Sequence, residues 1–585
     1  MRRLICLIGL VCLALAAPAA RAEDGVTPTA RPAPDQRQPF EPLGFAGGAG
    51  PSGGGLPIED RWRIGFPSWE RYAGASGESP YRHGAPWNPY EQNVLKGDYP
   101  ILGDDIFLEA SVASDTLFEA RAFPVPSSTS TNRPRSQAFF GDFDQMVVNQ
   151  NFVVSAEVFK GDSAFKPKEF ALRATPVFNL NWVDFEEVGL VDVDVRRGHD
   201  RLDHHVGMQE LFTEVHLADL SPSYDFLTVI AGIQPFTSDF RGFLYSDDNL
   251  GVRLQGNFAA NRYQTNLAWF HQLEKETNSG LNTFDSRDQN VFIANVFAQD
   301  FVFEGYTAEL SWHYNRDHSG THYDTNGFLV RPAKIGSAAG SLRESRDKDL
   351  DVHYLGVGGD GHIGRLNITN QYYLALGRDS RNEIAGRAQE IQAHFFAVEG
   401  SVDVDWLRLK SSFLYSSGDK NPQSGTATGF DTIFDNAFFA GAGFSYFNRQ
   451  GIPLVPTGVN LVNRLSLVPD LRSSKTEGQS NFVNPGLYLA NVGASARVTP
   501  KLFVDVNVNF LWFAETEPIE LVLQQSGIKH DLGVDTSVGV QYRPLLTENV
   551  IFTVGASAFT PWEGFRQIYA AHELYSTFAA LTLTY

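Results

Sequence analysis

From residue 105 to residue 585 apolar and polar side chains alternate with a period of two over most segments. In residues 502–513, Leu502, Val504, Val506, Val508, Phe510 and Trp512 form one row, and Asp505, Asn507 and Asn509 occupy the other. Residues 532–543 set Leu532, Val534, Val538, Val540 and Tyr542 against Asp535, Ser537, Gln541 and Arg543. Residues 306–315 set Tyr306, Ala308, Leu310, Trp312 and Tyr314 against Thr307, Glu309, Ser311, His313 and Asn315. Successive side chains of a strand point to opposite faces, so each segment predicts a strand with one apolar and one polar face. Each is about as long as a tilted strand needs to cross a bilayer. Residues 289–299 and 351–357 are less clean and fit either register.

Connections discriminate a membrane barrel from a soluble sandwich, because a membrane barrel carries short turns on one rim and longer loops on the other. Short links fall near residues 162–168, 220–225, 260–262, 300–304, 361–364, 403–405, 499–501 and 544–548. Between them run longer stretches, notably 124–145, 183–206, 317–349 and 419–485. The expected fold is all-β, a single antiparallel transmembrane barrel of about 18 strands (range 16–20). A short irregular N-terminal segment precedes it, and both chain ends lie on the periplasmic side.

Arg2 and Arg3 precede an apolar run ending in Ala20-Arg21-Ala22, the pattern of a secretory signal peptide cleaved after Ala22. Residues 23–59 are rich in Pro and Gly and are expected to be a disordered leader. Residues 60–104 regain aromatics without a period, which suggests an irregular cap or lumen segment at the periplasmic mouth. Cys6 and Cys12, the only cysteines, precede the expected cleavage site. Disulfides, thiol catalysis and covalent c-type haem are thereby excluded from the mature chain. With 47 basic and 68 acidic residues the chain carries −21; removing Arg2, Arg3 and Arg21 makes the mature chain −24. Nucleic-acid binding is excluded on that charge. Forty-five Phe, 20 Tyr and 9 Trp suit aromatic girdles at two membrane interfaces.

The last residues, STFAALTLTY, place Thr577, Ala579, Leu581, Leu583 and Tyr585 on one face, with Phe578 anomalous in the opposite row. This ending resembles the C-terminal signature of bacterial outer-membrane barrels, which implies recognition of Leu581, Leu583 and Tyr585 by the barrel-assembly machinery. Residues 105–585 resemble large porin-like bacterial outer-membrane β-barrels in topology and end signature. Residues 231–241 (AGIQPFTSDFR) with 250–254 (LGVRL) also resemble the strand pairs of alginate-export barrels. The resemblance implies an outer-membrane location, contact with its lipid, and a conduit for passive passage of solute. The alternatives are polysaccharide export and a sleeve for a periplasmic partner such as an electron-transfer cytochrome. The region before the barrel is too short and Gly/Pro-rich for a folded receptor plug.

Candidate chemistry changes this picture little. Gly356-Val-Gly358-Gly359-Asp-Gly361 spells a dinucleotide loop, but a strand follows it where a helix is required, so a tight hairpin turn is the better reading. Asp317, His318, His322 and Asp324, and His199, Asp200, Asp203, His204 and His205, contain metal-competent groups in polar loops without ligand spacing. Glu214, His216 and His313 lie on the inward row, yet no serine is marked as a nucleophile. No enzyme activity, cofactor or metal is therefore expected. The inward row reads Glu109, Glu157, Arg173, Glu210, Glu214, Arg253, Glu309, His313, Arg408, Lys410, Asp505, Asn507, Asp535 and Arg543. Both signs occur, so the composition points to no strong ion selectivity. The longest connection, 419–485, concentrates Phe434, Phe438, Phe439 and Phe444 with flanking glycines, which predicts a buried segment: either folded into the lumen as a constriction, the reading the glycines favour, or laid on the surface of a partner or neighbouring subunit.

Overall fold

The computed structural model describes residues 85–88 and 93–585 apart from 104, 126–141, 162–166, 334–345, 456–465, 470, 473–475 and 570. Its strands are β1 (Ile106–Ala122), β2 (Asp144–Lys160), β3 (Phe170–Phe185), β4 (Asp200–Ser221), β5 (Asp225–Thr237) and β6 (Ser246–Phe258). Next come β7 (Tyr263–Lys275), β8 (Asn282–Ala298), β9 (Tyr306–Asp317), β10 (Leu350–Ile363), β11 (Leu366–Asn382) and β12 (Arg387–Val404). The last are β13 (Leu407–Ser416), β14 (Leu487–Thr499), β15 (Leu502–Trp512), β16 (Asp531–Tyr542), β17 (Val550–Pro561) and β18 (Leu574–Thr584). Every neighbour in this order pairs antiparallel, and β18 returns to β1 from Ala113↔Thr584 to Arg121↔Ser576, which closes an 18-stranded barrel. Closure leaves no long edge unpaired.

β18 ends opposite Ala113, and the chain before the barrel covers the rest of the β1 edge. Ala110 N donates to Leu95 O (2.7 Å), Lys96 bridges to Glu109, and the Lys96 ammonium lies 4.2 Å from the centre of the Tyr585 ring. Asn93 Nδ2 donates to the Tyr585 hydroxyl at 2.9 Å. The C-terminal aromatic thus sits at the barrel seam. Residues 1–84, including the expected signal peptide and leader, lie outside the described residues.

The alternation read from the sequence sets the two faces. Val506, Val538, Leu310 and Leu267 point outward, 42–64% exposed, whereas Asn507, Asn509 and Asp535 point inward and are buried. A belt of outward Leu, Val, Phe and Trp can leave water only by facing hydrocarbon. Among the described residues no helix is long and apolar enough to cross a membrane.

Turns are short on one rim and mostly longer on the other, with the four-residue link 383–386 an exception on the long-loop rim. Two details differ from the sequence reading. β3 and β4 run on to Phe185 and back to Asp200, so the connection there is 186–199 and not 183–206. The glycines 356–361 lie inside β10, and the turn comes at Gly364. Close packing explains them: a Cβ on Gly356 would meet Ser311 Oγ at 2.3 Å and the Tyr373 ring at 2.4 Å.

Candidate functional site

The lumen is crossed by the chain's own loops. Residues 417–455 leave β13 and fold inward, burying Phe430, Phe434, Phe439, Phe447 and Leu454 against inward-facing Tyr354, Phe395, Leu414 and Phe559. Residues 238–245, between β5 and β6, also fold inward and pair with them: Phe434 N donates to Leu244 O (3.1 Å) and Phe438 N to Arg241 O (2.9 Å). A third segment, 276–281, carries Leu281 onto Ala113, Val153 and Val177 of β1–β3.

Each loop is fastened to a wall. Asp239 accepts backbone N–H bonds from Arg241, Gly242, Phe243 and Leu244 and the Tyr373 hydroxyl (2.9 Å), so one carboxylate both shapes the inner turn and ties it to β11. Arg241 pairs with Glu399 of β12 at 3.1 Å. Across the barrel, a short helix α1 (Tyr446–Gln450) starts at Ser445. Asp535 of β16 accepts from the Ser445 hydroxyl and from the backbone N–H of Tyr446 and Phe447 (3.1 and 3.2 Å). A carboxylate at otherwise orphaned N–H groups is a charge-assisted anchor. At the other end of α1, Arg449 pairs with Glu119 of β1 (2.8 Å) and lies 3.9 Å from the centre of the Phe578 ring. Phe444 stacks on Phe578 (6.0 Å) and fills the space of the absent side chain at Gly539. The Phe578 that broke the polar row of the terminal strand is part of this seat.

The four phenylalanines of the expected constriction divide by position. Phe434 and Phe439 are buried in the core of the in-folded segment, whereas Phe438 and Phe444 are half-buried on its surface.

Several inward charged residues are paired within the wall. Glu157 pairs with Lys168 and Arg173, and Arg173 Nε reaches Glu210 at 2.7 Å. Lys410 pairs with Asp505 (2.7 Å), which Asn507 also contacts. Arg408 pairs with Asp403 (2.6 Å). Arg543 lies past the end of β16, beside Glu548 at 3.3 Å. The Arg253 guanidinium lies 5.2 Å from the centre of the Phe236 ring, and Glu214 is half-buried on β4. Glu309 and His313 are buried on β9. These pairs settle opposite charges between strands one or two places apart in the wall.

The histidine clusters do not converge on shared points. His199 contacts Asp184 (2.6 Å), Asp203 accepts from Asn278, and His205 lies 3.4 Å from Asn282 O. His318 faces Asp349 and Asp351, while His322 lies 3.9 Å from Glu477. Asp317 holds Ser319, and Asp324 holds the N–H of Asn326 and Phe328.

A knot of loops closes over the long-loop rim. Arg331 binds Glu274 and the carbonyl of Glu477, and Arg287 binds the carbonyls of Thr476 and Gly478. Lys348 pairs with Asp379 and Glu383, and Arg472 with Asp431. Burial beside Asp324, Glu274 and Glu276 pushes the Glu477 carboxyl from its ordinary 4.5 up to about 8. The docked loop therefore holds the proton more tightly than a free one, and docking weakens as pH rises from 4.5 to 8. Burial moves Asp324 the same way, to about 6, and holds His322 down, which opposes it only at lower pH. Above about pH 6.5 the Asp324 and His322 effects are largely spent, while the Glu477 effect continues to about 8. Limited proteolysis of residues 476–482 in folded protein should accelerate across that interval and stay flat in Glu477→Gln. Equal pH profiles for the two proteins would remove Glu477 from the knot.

Asp239, Arg241, Glu119 and Arg449 were not singled out from the sequence. The signal for them was indirect: Phe270, Tyr354, Tyr373 and Phe395 are aromatic positions on inward rows, and only an in-folded partner can keep such side chains dry.

The fold is a closed 18-stranded antiparallel β-barrel with an apolar outer belt. No family model matches the chain, and no curated protein matches it. Among solved structures, Pseudomonas aeruginosa OccK9 (OpdG) is similar at 12% identity and a TM-score of 0.44, covering 82% of this chain and 98% of that one. A BenF-like porin from Pseudomonas fluorescens Pf-5 matches at 10% identity and a TM-score of 0.45, covering 82% and 98%. Acinetobacter baumannii OccAB1 matches at 10% and 0.45, covering 82% and 96%.

Proposed function

We propose that the chain is an outer-membrane conduit for passive passage of small polar solutes, narrowed by its own loops. The observation that carries this reading is the lumen itself. Its strands are lined with paired charges and amides, and segments 238–245 and 417–455 meet across it, anchored by Asp239 to β11 and by Asp535 to β16. A bore reduced in this way fits small molecules. It argues against a sleeve around a folded cytochrome and against export of a polysaccharide, both of which need the width the loops occupy. We read the chain as a transporter rather than an enzyme, its partners being membrane lipid and, through Leu581, Leu583 and Tyr585, the assembly machinery.

Swelling of liposomes containing the folded protein tests the reading. Pentoses and small amino acids should enter, with rates falling steeply toward disaccharides. Absence of swelling with every solute, from protein shown to be barrel-folded, would reject a solute conduit.

A further inference from the structure

Five successive inward positions of β9, Glu309, Ser311, His313, Asn315 and Asp317, are polar, and all are at most 3% exposed. Most have unmet hydrogen-bonding capacity. Both Glu309 carboxylate oxygens, both His313 ring nitrogens, Asn315 Nδ2 and Asp317 Oδ2 meet no partner at bonding distance among the described residues. The Ser311 hydroxyl stands beside Glu309 and the Tyr373 hydroxyl. An orphaned buried group costs about 1–3 kcal/mol, so a column of them on one strand requires an explanation.

The placement of the inner loop supplies it. Residues 238–245 rest on the strands to either side: Asn295 Nδ2 of β8 donates to Ser238 O (2.9 Å), and the Tyr373 hydroxyl of β11 donates to Asp239 Oδ2 (2.9 Å). At the long-loop rim Gln479 donates to Asp317 Oδ1 (3.2 Å). The loops bridge over β9 and also over β10, whose facing residues Gly356 and Gly358 register with Ser311 and Glu309 and bring no side chain. Polar atoms recur every second residue, about 6.8 Å apart, a gap that two bridging waters span. Inward positions of β8, β9, β10 and β11 carry Glu309, Asp317, Asp360 and Asp379; the buried Arg287 of β8 sits at the long-loop rim, where its guanidinium is taken up by the carbonyls of Thr476 and Gly478.

We propose that this column is a hydrated file running behind the in-folded loops along β9, a path for water and small cations separate from the main solute route. It goes beyond the conduit reading and survives that reading's failure, since a barrel closed to sugars could still hold the file.

Cysteine labelling tests it directly, because Cys6 and Cys12 are the only native thiols and both precede the expected cleavage site. Ser311→Cys and Asn315→Cys would be made separately in the full chain, with lipid-facing Val506→Cys as the unreactive reference. In folded protein a small cationic methanethiosulfonate should modify Cys at 311 or 315 at least tenfold faster than an anionic reagent of the same size. No modification at either position before unfolding would show a dry wall and overturn the proposal. Equal or faster reaction of the anionic reagent would overturn its cation preference. If one variant fails to fold, the other carries the same test.

Discussion

Val506→Arg is expected to abolish most assembly of the barrel. Val506 sits midway along β15, paired with Ala494 and Val538 on the outer face, and is 45% exposed to the belt that lipid covers. A charged residue at the membrane midplane of a barrel costs about 2–4 kcal/mol. Gln541→Arg, on the inner face of β16 and half-buried, should assemble near the wild-type level because the new charge meets the wet interior. Heat-modifiable mobility on gels, which separates folded barrel from unfolded chain, reads both. Equal yields of the two variants would mean that the faces have been assigned wrongly.

The second large effect concerns the in-folded segment. Replacing residues 433–452 with a short Gly-Ser link removes Phe434, Phe438, Phe439, Phe444 and α1 together, and with them the seats on Asp535, Glu119 and Phe578. The barrel wall keeps every strand pair, so folded yield should fall only modestly. Swelling rates for disaccharides should rise by an order of magnitude, with a smaller gain for pentoses. A single substitution, Asp535→Ala, should move permeability the same way by a smaller step, since it strips the acceptor from Ser445, Tyr446 and Phe447 while leaving Arg449 on Glu119. Unchanged size exclusion after the deletion would show that the segment does not limit passage.

Where a strand has lipid on one side and water on the other, its two faces were legible in the sequence. β15 and β16 show this: their rows separate cleanly, and the structure places Asp505, Asn507 and Asp535 inward as the rows imply. β8 and β10 were ambiguous for a physical reason. Val291, Ile293, Val352 and Tyr354 face inward and are apolar because the in-folded loops cover them, so both faces of these strands read as buried. The crowding of phenylalanines in 419–485 announced a buried loop, since so many aromatic side chains cannot remain in water. Residues 238–245 gave no comparable signal. Their inward turn depends on one carboxylate, Asp239, collecting four backbone N–H groups, which short-range composition does not reveal. The glycines 356–361 were assigned to a turn because glycine favours turns, whereas here three-dimensional crowding by Ser311, Tyr373 and Gln371 forces them within a strand.

Single-channel recording tests the central claim most directly: a closed barrel whose passage is set by its own loops. Full-length folded protein should give discrete, ohmic steps, and the 433–452 replacement should give steps several-fold larger with the same insertion frequency. Current at the level of the bare bilayer from both proteins, each shown to be folded, would contradict a conduit. Identical steps from both would contradict the constriction.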